Sequence, residues 1–262
     1  MTQPYALVAT LHDPQAASLS FLDRPDVLAA LGWYPVVSVA ATVATDSRVT
    51  TRLQNLGVQV VEGGVTGVAR RAALEAIPPD LASSNIDFDR WLHWLTAWPD
   101  ELEGLSTRIE RVVARQKGTP WCIVLGRTAR AFATHPQVQR LPETATNRTL
   151  SLAAGKSLDA VSGAVWLSAE GRELILASSI EESAATDLEW AGLILRQDPA
   201  RLHGLRFEGL EWETPDFHAT EISEAGGLEQ WVRETFDTPQ MWTSRLQLAA
   251  ASVSALQRVL AT

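Results

Sequence analysis

Asp87 and Asp89 stand two residues apart in the stretch Asn85-Ile86-Asp87-Phe88-Asp89. In extended chain, residues two apart point the same way, so both carboxylates can reach one cation. Hard oxygen ligands of this kind suit Mg²⁺ or Mn²⁺ carrying a diphosphate. The same aspartates also fit a helix start, where a carboxylate accepts from free backbone N–H groups and favours the helix dipole. A second set is Gly67-Val68-Ala69-Arg70-Arg71-Ala72-Ala73-Leu74. Arginine on the first turn of a helix can pair with phosphate, or simply face solvent. The third is Gly163-Ala164-Val165-Trp166, followed by Glu181-Glu182 and Asp187-Leu188-Glu189-Trp190. A carboxylate at a helix start beneath a cleft can act as a general base, and an acid-rich helix start is also favoured by the dipole alone.

Lesser candidates surround these. Asp89 and His93, four apart on a helix, can hydrogen-bond. Trp94, Trp190 and Trp212 can line a sugar cleft or fill the core. Arg127 and Arg130 follow an apolar run and can bind an anion at its carboxyl end, or remain on the surface.

Positioning such groups takes a sheet. Ala6 to Leu11, Pro35 to Ala41 and Val58 to Val61 read as buried strands, with helical patterns between them. A break is expected at Pro25, a cap at Asp46 or Ser47, and a stop at Gly57. Alternating strands and helices with apolar strands imply a mostly parallel sheet covered by helices on both faces, an α/β fold. A long helix should start near Asp89 and be split at Pro99, and Trp121 to Leu125 is a further strand. In the second half, Pro142 to Ala154 is expected to be helical. Gly163 to Ser168 and Glu173 to Ala177 are expected to form a hairpin about Glu170-Gly171. Glu181 to Gln197 reads as a helix, Leu205 to Trp212 as a strand, and Gly226 onward as mostly helical.

Composition narrows the classes. The net charge of −9 opposes a broad phosphate-backbone interface, so no nucleic-acid partner is expected. The single cysteine, Cys122, lies in an apolar run and reads as a core thiol. No stretch approaches the ~20 apolar residues of a membrane span, and no signal-peptide pattern opens the chain, so a cytoplasmic location is expected. No G-x-G-x-x-G follows an early strand and no G-x-S-x-G elbow occurs, against a dehydrogenase or serine hydrolase.

The order of the three sets resembles the GT-A class of glycosyltransferases, especially the large inverting group with one nucleotide-sugar domain. Those proteins open with a strand–helix–strand–helix–strand half. They continue with a glycine and an arginine–Ala-Leu helix, a D-x-D, a Gly-Ala segment, and an acidic pair or Asp-Leu opening a helix. The corresponding stretches are Gly67 to Ala76, Asp87-Phe88-Asp89, Ser162-Gly163-Ala164, and Glu181-Glu182 with Thr186 to Glu189, so the likeness runs over residues 5–197. It implies one GT-A-like domain over residues 1–262, with a nucleotide-binding half (1–90) and an acceptor half with C-terminal helices (91–262). It implies that a nucleoside diphosphate sugar is the donor and a small soluble molecule the acceptor, with Mg²⁺ or Mn²⁺. Asp13 would lie near the base or ribose and Arg70 near the uridine or diphosphate. Asp87 and Asp89 would hold ribose and metal, and His218 would be a late metal ligand. Asp187 would be the base, with Glu182 as its rival. Two other readings are a nucleotidyltransferase and a non-catalytic nucleotide- or protein-binding relative. Against the first, Leu11-His12-Asp13-Pro14-Gln15 stands where a Gly-rich loop with Arg and Lys is needed.

Overall fold

The structure, a computed structural model, describes residues 2–116 and 118–261. The first part runs β1 (Ala6–Leu11), α1 (Leu19–Leu22), α2 (Pro25–Leu31), β2 (Val37–Thr42), α3 (Ser47–Asn55), β3 (Gln59–Gly63), α4 (Thr66–Glu75) and β4 (Ser83–Ile86). Then come α5 (Phe88–Ala97), α6 (Pro99–Glu103), α7 (Leu105–Arg115), β5 (Cys122–Arg127), α8 (Ala129–Ala133) and α9 (Gln137–Ala154). The last part is β6 (Ala164–Leu167), α10 (Ala169–Ser178), α11 (Thr186–Gln197), β7 (Leu202–Phe207), α12 (Ala219–Glu224), α13 (Leu228–Thr235) and α14 (Pro239–Leu260).

The strands form one sheet in the order β3-β2-β1-β4-β6-β5-β7. Only β6 runs antiparallel to its neighbours. Side chains alternate across β1, so Leu7, Ala9 and Leu11 join one core with Phe88, Trp91 and Trp94 of α5. Ala6 and Val8 join the opposite core with Ala69 and Leu74 of α4, Leu188 and Trp190 of α11, and Leu256 of α14. Burial on both faces explains the near-continuous apolar reading of β1 and β2.

Several expectations change. β4 is Ser-Ser-Asn-Ile, all four residues buried, and carries no apolar run. It is a strand because β1 and β6 pair with it on either side. The expected hairpin does not form: β6 is followed by helix α10. Ser168 caps α10 by accepting from the Gly171 N–H at 3.1 Å. Gly171 is a close approach, not a turn, since a Cβ there would stand 2.0 Å from the Trp121 carbonyl oxygen. Helix α9 starts five residues before Pro142, which lies inside it. Helix α11 starts at Thr186, not Glu181, and β7 ends at Phe207. The breaks at Pro25 and Pro99 and the Asp46 cap stand as expected. Among the described residues no helix is long and apolar enough to cross a membrane.

Candidate active site

The carboxyl ends of β1 and β4 lie at one edge of the sheet. Antiparallel β6 begins at that same edge, because Ile86 pairs with Ala164. Asp87 is therefore the first residue past β4, beside the turn that enters β6. Its N–H donates to the Gly163 carbonyl at 3.3 Å. Gly163 has φ +69°, and a Cβ on it would stand 2.6 Å from Asp87 Oδ2. Both the left-handed backbone and the close approach require glycine there.

Arg70, on the first turns of α4, joins the separate motifs. It donates to Asp187 Oδ1 at 2.5 Å and to Thr186 Oγ1 at 3.0 Å. It reaches Asp87 Oδ1 at 3.4 Å, and Thr10 Oγ1 donates to the same oxygen at 2.7 Å. Burial alone would lower the Arg70 pKa, but Asp187 and Asp87 outweigh it and raise it. Burial lifts the Asp187 carboxyl above its ordinary value against the pull of Arg70, with Asp87 adding to the rise. Arg71 donates to the Glu181 carbonyl and to Ser179 Oγ, and the Gly67 N–H donates to the Glu182 carbonyl. These bonds fasten the 179–182 loop to the start of α4.

Asp89, in the first turn of α5, is pushed up to about 7 by burial and by the nearby charges of Glu213 and Asp87. Glu213 comes from the segment after β7 and was not singled out in the sequence. It accepts from Arg90 NH2 at 2.9 Å. Its position depends on a fold-back across α5, for which no local motif exists.

Arg70, Asp87, Asp89, Asp187 and Glu213 all line one cavity of about 360 Å³, closed on the far side by α9 and α14. A neighbouring cavity of about 260 Å³ lies at the end of β1 and shares Asp89 and Thr214 with it.

The remaining candidates fall elsewhere. Asp13 borders the second cavity, but its oxygens accept from the Ala17 and Ser18 N–H groups at 2.9 and 2.8 Å, so it fastens the loop after β1. His218 borders the same cavity, 3.3 Å from Glu221 Oε1 and against the Trp231 ring. Glu182 is exposed and lines neither cavity. No group of three or more His, Cys, Asp or Glu among the described residues is disposed to hold a metal ion, so Asp87, Asp89 and His218 do not form a ready-made metal cage.

His93 turns away from Asp89 and meets Asp216 Oδ2 at 2.6 Å. Trp94, Trp190 and Trp212 are buried in the cores, and Trp190 also borders a small pocket with Arg70, Asp87 and Asp187. Arg127 is buried against Asp159 and Glu143, while exposed Arg130 pairs with Glu208 and Glu211. Burial pushes the Cys122 thiol up to about 12, as a core thiol requires.

The chain's overall fold is similar to that of solved proteins. The fold is GT-A-like. Glucosyl-3-phosphoglycerate synthase from Mycobacterium tuberculosis matches with a TM-score of 0.54 at 17% identity, over 86% of this chain and 82% of that one. The same synthase with Mn²⁺, uridine diphosphate and phosphoglyceric acid matches with a TM-score of 0.52 at 15% identity, over 78% of this chain and 68% of that one. Its complex with Mg²⁺ and uridine diphosphate matches with a TM-score of 0.53 at 15% identity, over 78% and 69%. At these identities the likeness is one of fold. No family model and no curated protein matches the chain.

Proposed function

We propose that the protein is a glycosyltransferase that moves a sugar from a nucleoside diphosphate sugar to a small soluble acceptor. The observation that carries this reading is Arg70, which draws Asp87 and Asp187 together at the mouth of a polar cavity beside the β4 end. Ligands of open α/β sheets bind outside such carboxyl ends. The fold neighbour's complexes with uridine diphosphate and Mn²⁺ or Mg²⁺ support the same choice of ligand.

In this reading residues 1–90 bind the nucleotide, with the nucleoside in the cavity at the end of β1 near Asp13. Residues 91–262 receive the acceptor. The donor set fits a divalent cation that arrives with the diphosphate. Mg²⁺ is commonly held by one or two carboxylates plus substrate phosphates, not by a full protein cage. Asp89 and Glu213 suit this, because their mutual repulsion in a buried wall is what a cation relieves. Asp87 is a further carboxylate on the same cavity wall, and His218 is the outer candidate. The cation would neutralise charge on the departing diphosphate.

Arg70 is then the protein's own cation for that diphosphate. Phosphate competes with Asp187 for the guanidinium and releases the carboxylate to take the acceptor hydroxyl's proton. Asp187 is the base of an inverting transfer in this account. Glu182 is set aside by its exposure.

Calorimetric titration with UDP and with GDP, each with Mn²⁺ and with EDTA, tests the reading. Metal-dependent binding of one nucleotide, lost in Asp89→Ala, is the expected result. Absence of binding by both nucleotides would overturn it.

A further inference from the structure

The two sides of the cavity wall differ in charge. Near Asp87 and Gly163 the buried atoms without a hydrogen-bond partner belong to a charged pair, Arg90 Nε and Glu213 Oε2. On the side formed by α8 and α9 the unpartnered atoms are acceptors, His135 Nε2 and Gln139 Oε1. Both side chains are more than nine-tenths buried, at 3% and 6% exposure. A buried polar atom without a partner costs free energy, so such atoms mark where a ligand supplies the missing bond.

His135 can only accept at Nε2. Its Nδ1 lies 3.2 Å from the Ala131 carbonyl oxygen, which requires the proton to sit on Nδ1. Burial, reinforced by the charges of Arg127 and Arg90, pushes the imidazole down to about 2, so it stays neutral. The arginines on this side face carboxylates, and Arg245 of α14 lies near the charges of Glu143 and Glu213. Arg127 holds Asp159 through Nε at 2.9 Å and NH2 at 2.8 Å, and Glu143 at 2.8 Å. Arg90 is given to Glu213.

A wall of acceptors backed by neutralised arginines suits a ligand rich in O–H donors. A phosphate or carboxylate brings acceptors and negative charge, would leave His135 Nε2 unmet, and would meet Gln139 only through its amide NH2. We propose that the α8–α9 side of the cavity is a subsite for a neutral polyhydroxylated molecule, a sugar or polyol, whose hydroxyls donate to His135 and Gln139. The subsite is the recipient's place within the glycosyltransferase reading and rests on it. It separates this chain from its fold neighbour, which was solved with phosphoglyceric acid. His135 and Gln139 act as positioning residues, since they orient the recipient and leave proton removal to Asp187.

The test is saturation-transfer NMR on the full chain, with D-glucose, D-mannose, glycerol and 3-phosphoglycerate as probes. Each is titrated with and without UDP and Mn²⁺. At least one neutral probe should bind, with 3-phosphoglycerate weaker. Gln139→Leu and His135→Phe should each weaken the neutral probe about tenfold, the scale of one lost buried hydrogen bond, while UDP affinity stays within twofold. Two variants are used so that one that fails to fold does not decide the matter. Preference for 3-phosphoglycerate, absence of all neutral binding, or neutral binding indifferent to both substitutions would overturn the subsite. If UDP does not bind, the glycosyltransferase reading falls, and the same probes without nucleotide still judge the subsite.

Discussion

Arg127 and Arg70 both reach the cavity wall, yet their surroundings are built differently. Arg127 is 1% exposed and spends its guanidinium on Asp159 and Glu143. Asp159 also accepts from the Arg127 N–H at 2.7 Å and from Asn147 at 2.6 Å, and the guanidinium lies 4.6 Å from the Phe132 ring centroid. That network is closed around Asp159. Arg70 bonds Asp187 and Thr186 but reaches Asp87 only at 3.4 Å, with its carboxylate partners partly open to the cavity. A satisfied buried ion network fixes the fold, while a half-satisfied one at a cavity keeps capacity for a ligand. Two arginines on one wall thus separate a structural role from a binding one.

The largest effect should come from breaking the closed network. Arg127→Ala leaves Asp159 and Glu143 buried without a counter-charge, and losing one partner of a buried pair costs about 3–5 kcal/mol. Urea unfolding monitored by tryptophan fluorescence measures it. A loss below about 1 kcal/mol would place Arg127 with ordinary surface pairs and dissolve the contrast.

The next effect should appear in chemistry. Asp187→Asn keeps the shape of the site and removes the base, so turnover should drop about 100-fold, at the low end of general-base contributions. Nucleotide affinity should hold within a few-fold, because Arg70 is then freer to meet phosphate. Product assays with the nucleotide sugar chosen by titration, alongside urea unfolding, separate the two regions. A stability loss as large as that of Arg127→Ala would make Asp187 structural.

Residue type reveals these two networks unequally. Asp87, Gly163 and Asp187 stood out in the sequence because each lies next to the start of a helix or strand, which is a local property. The strand that precedes Asp87 was not legible, since Ser-Ser-Asn-Ile owes its conformation to neighbours on both sides. Reading Gly171 as a turn produced a false hairpin, where the glycine serves a contact with Trp121. Placing the start of α9 at Pro142 hid the turn that carries Gln139. Glu213 and Asp159 act on residues 123 and 32 positions away, and no spacing rule reaches that far. The area of Trp94 and Trp212 drew both into apolar clusters, while buried Trp190 still borders the pocket of Asp87 and Asp187.

The smallest effect is a difference in sign between the two regions' responses to pH. Asp159 is buried, but its bonds to Arg127 hold its pKa below the ordinary value. It contributes stability above the carboxylate range, which is lost as pH falls through the folded-state value. Asp89 lies on the other side of the comparison. Its pKa rises from 3.8 to about 7, so the folded protein binds the extra proton and stability is lost as pH rises between those values. Without metal, the slope between pH 4 and 7 should therefore be negative and should flatten in Asp89→Asn. UDP with Mn²⁺ should cancel it in the wild type, because a cation at the carboxylate replaces the proton. Thermal unfolding across that range, with and without UDP and Mn²⁺, reads the slope. A negative slope that survives Asp89→Asn would move the buried proton to another carboxyl, such as Glu143, which burial also raises, and so onto the Arg127 side.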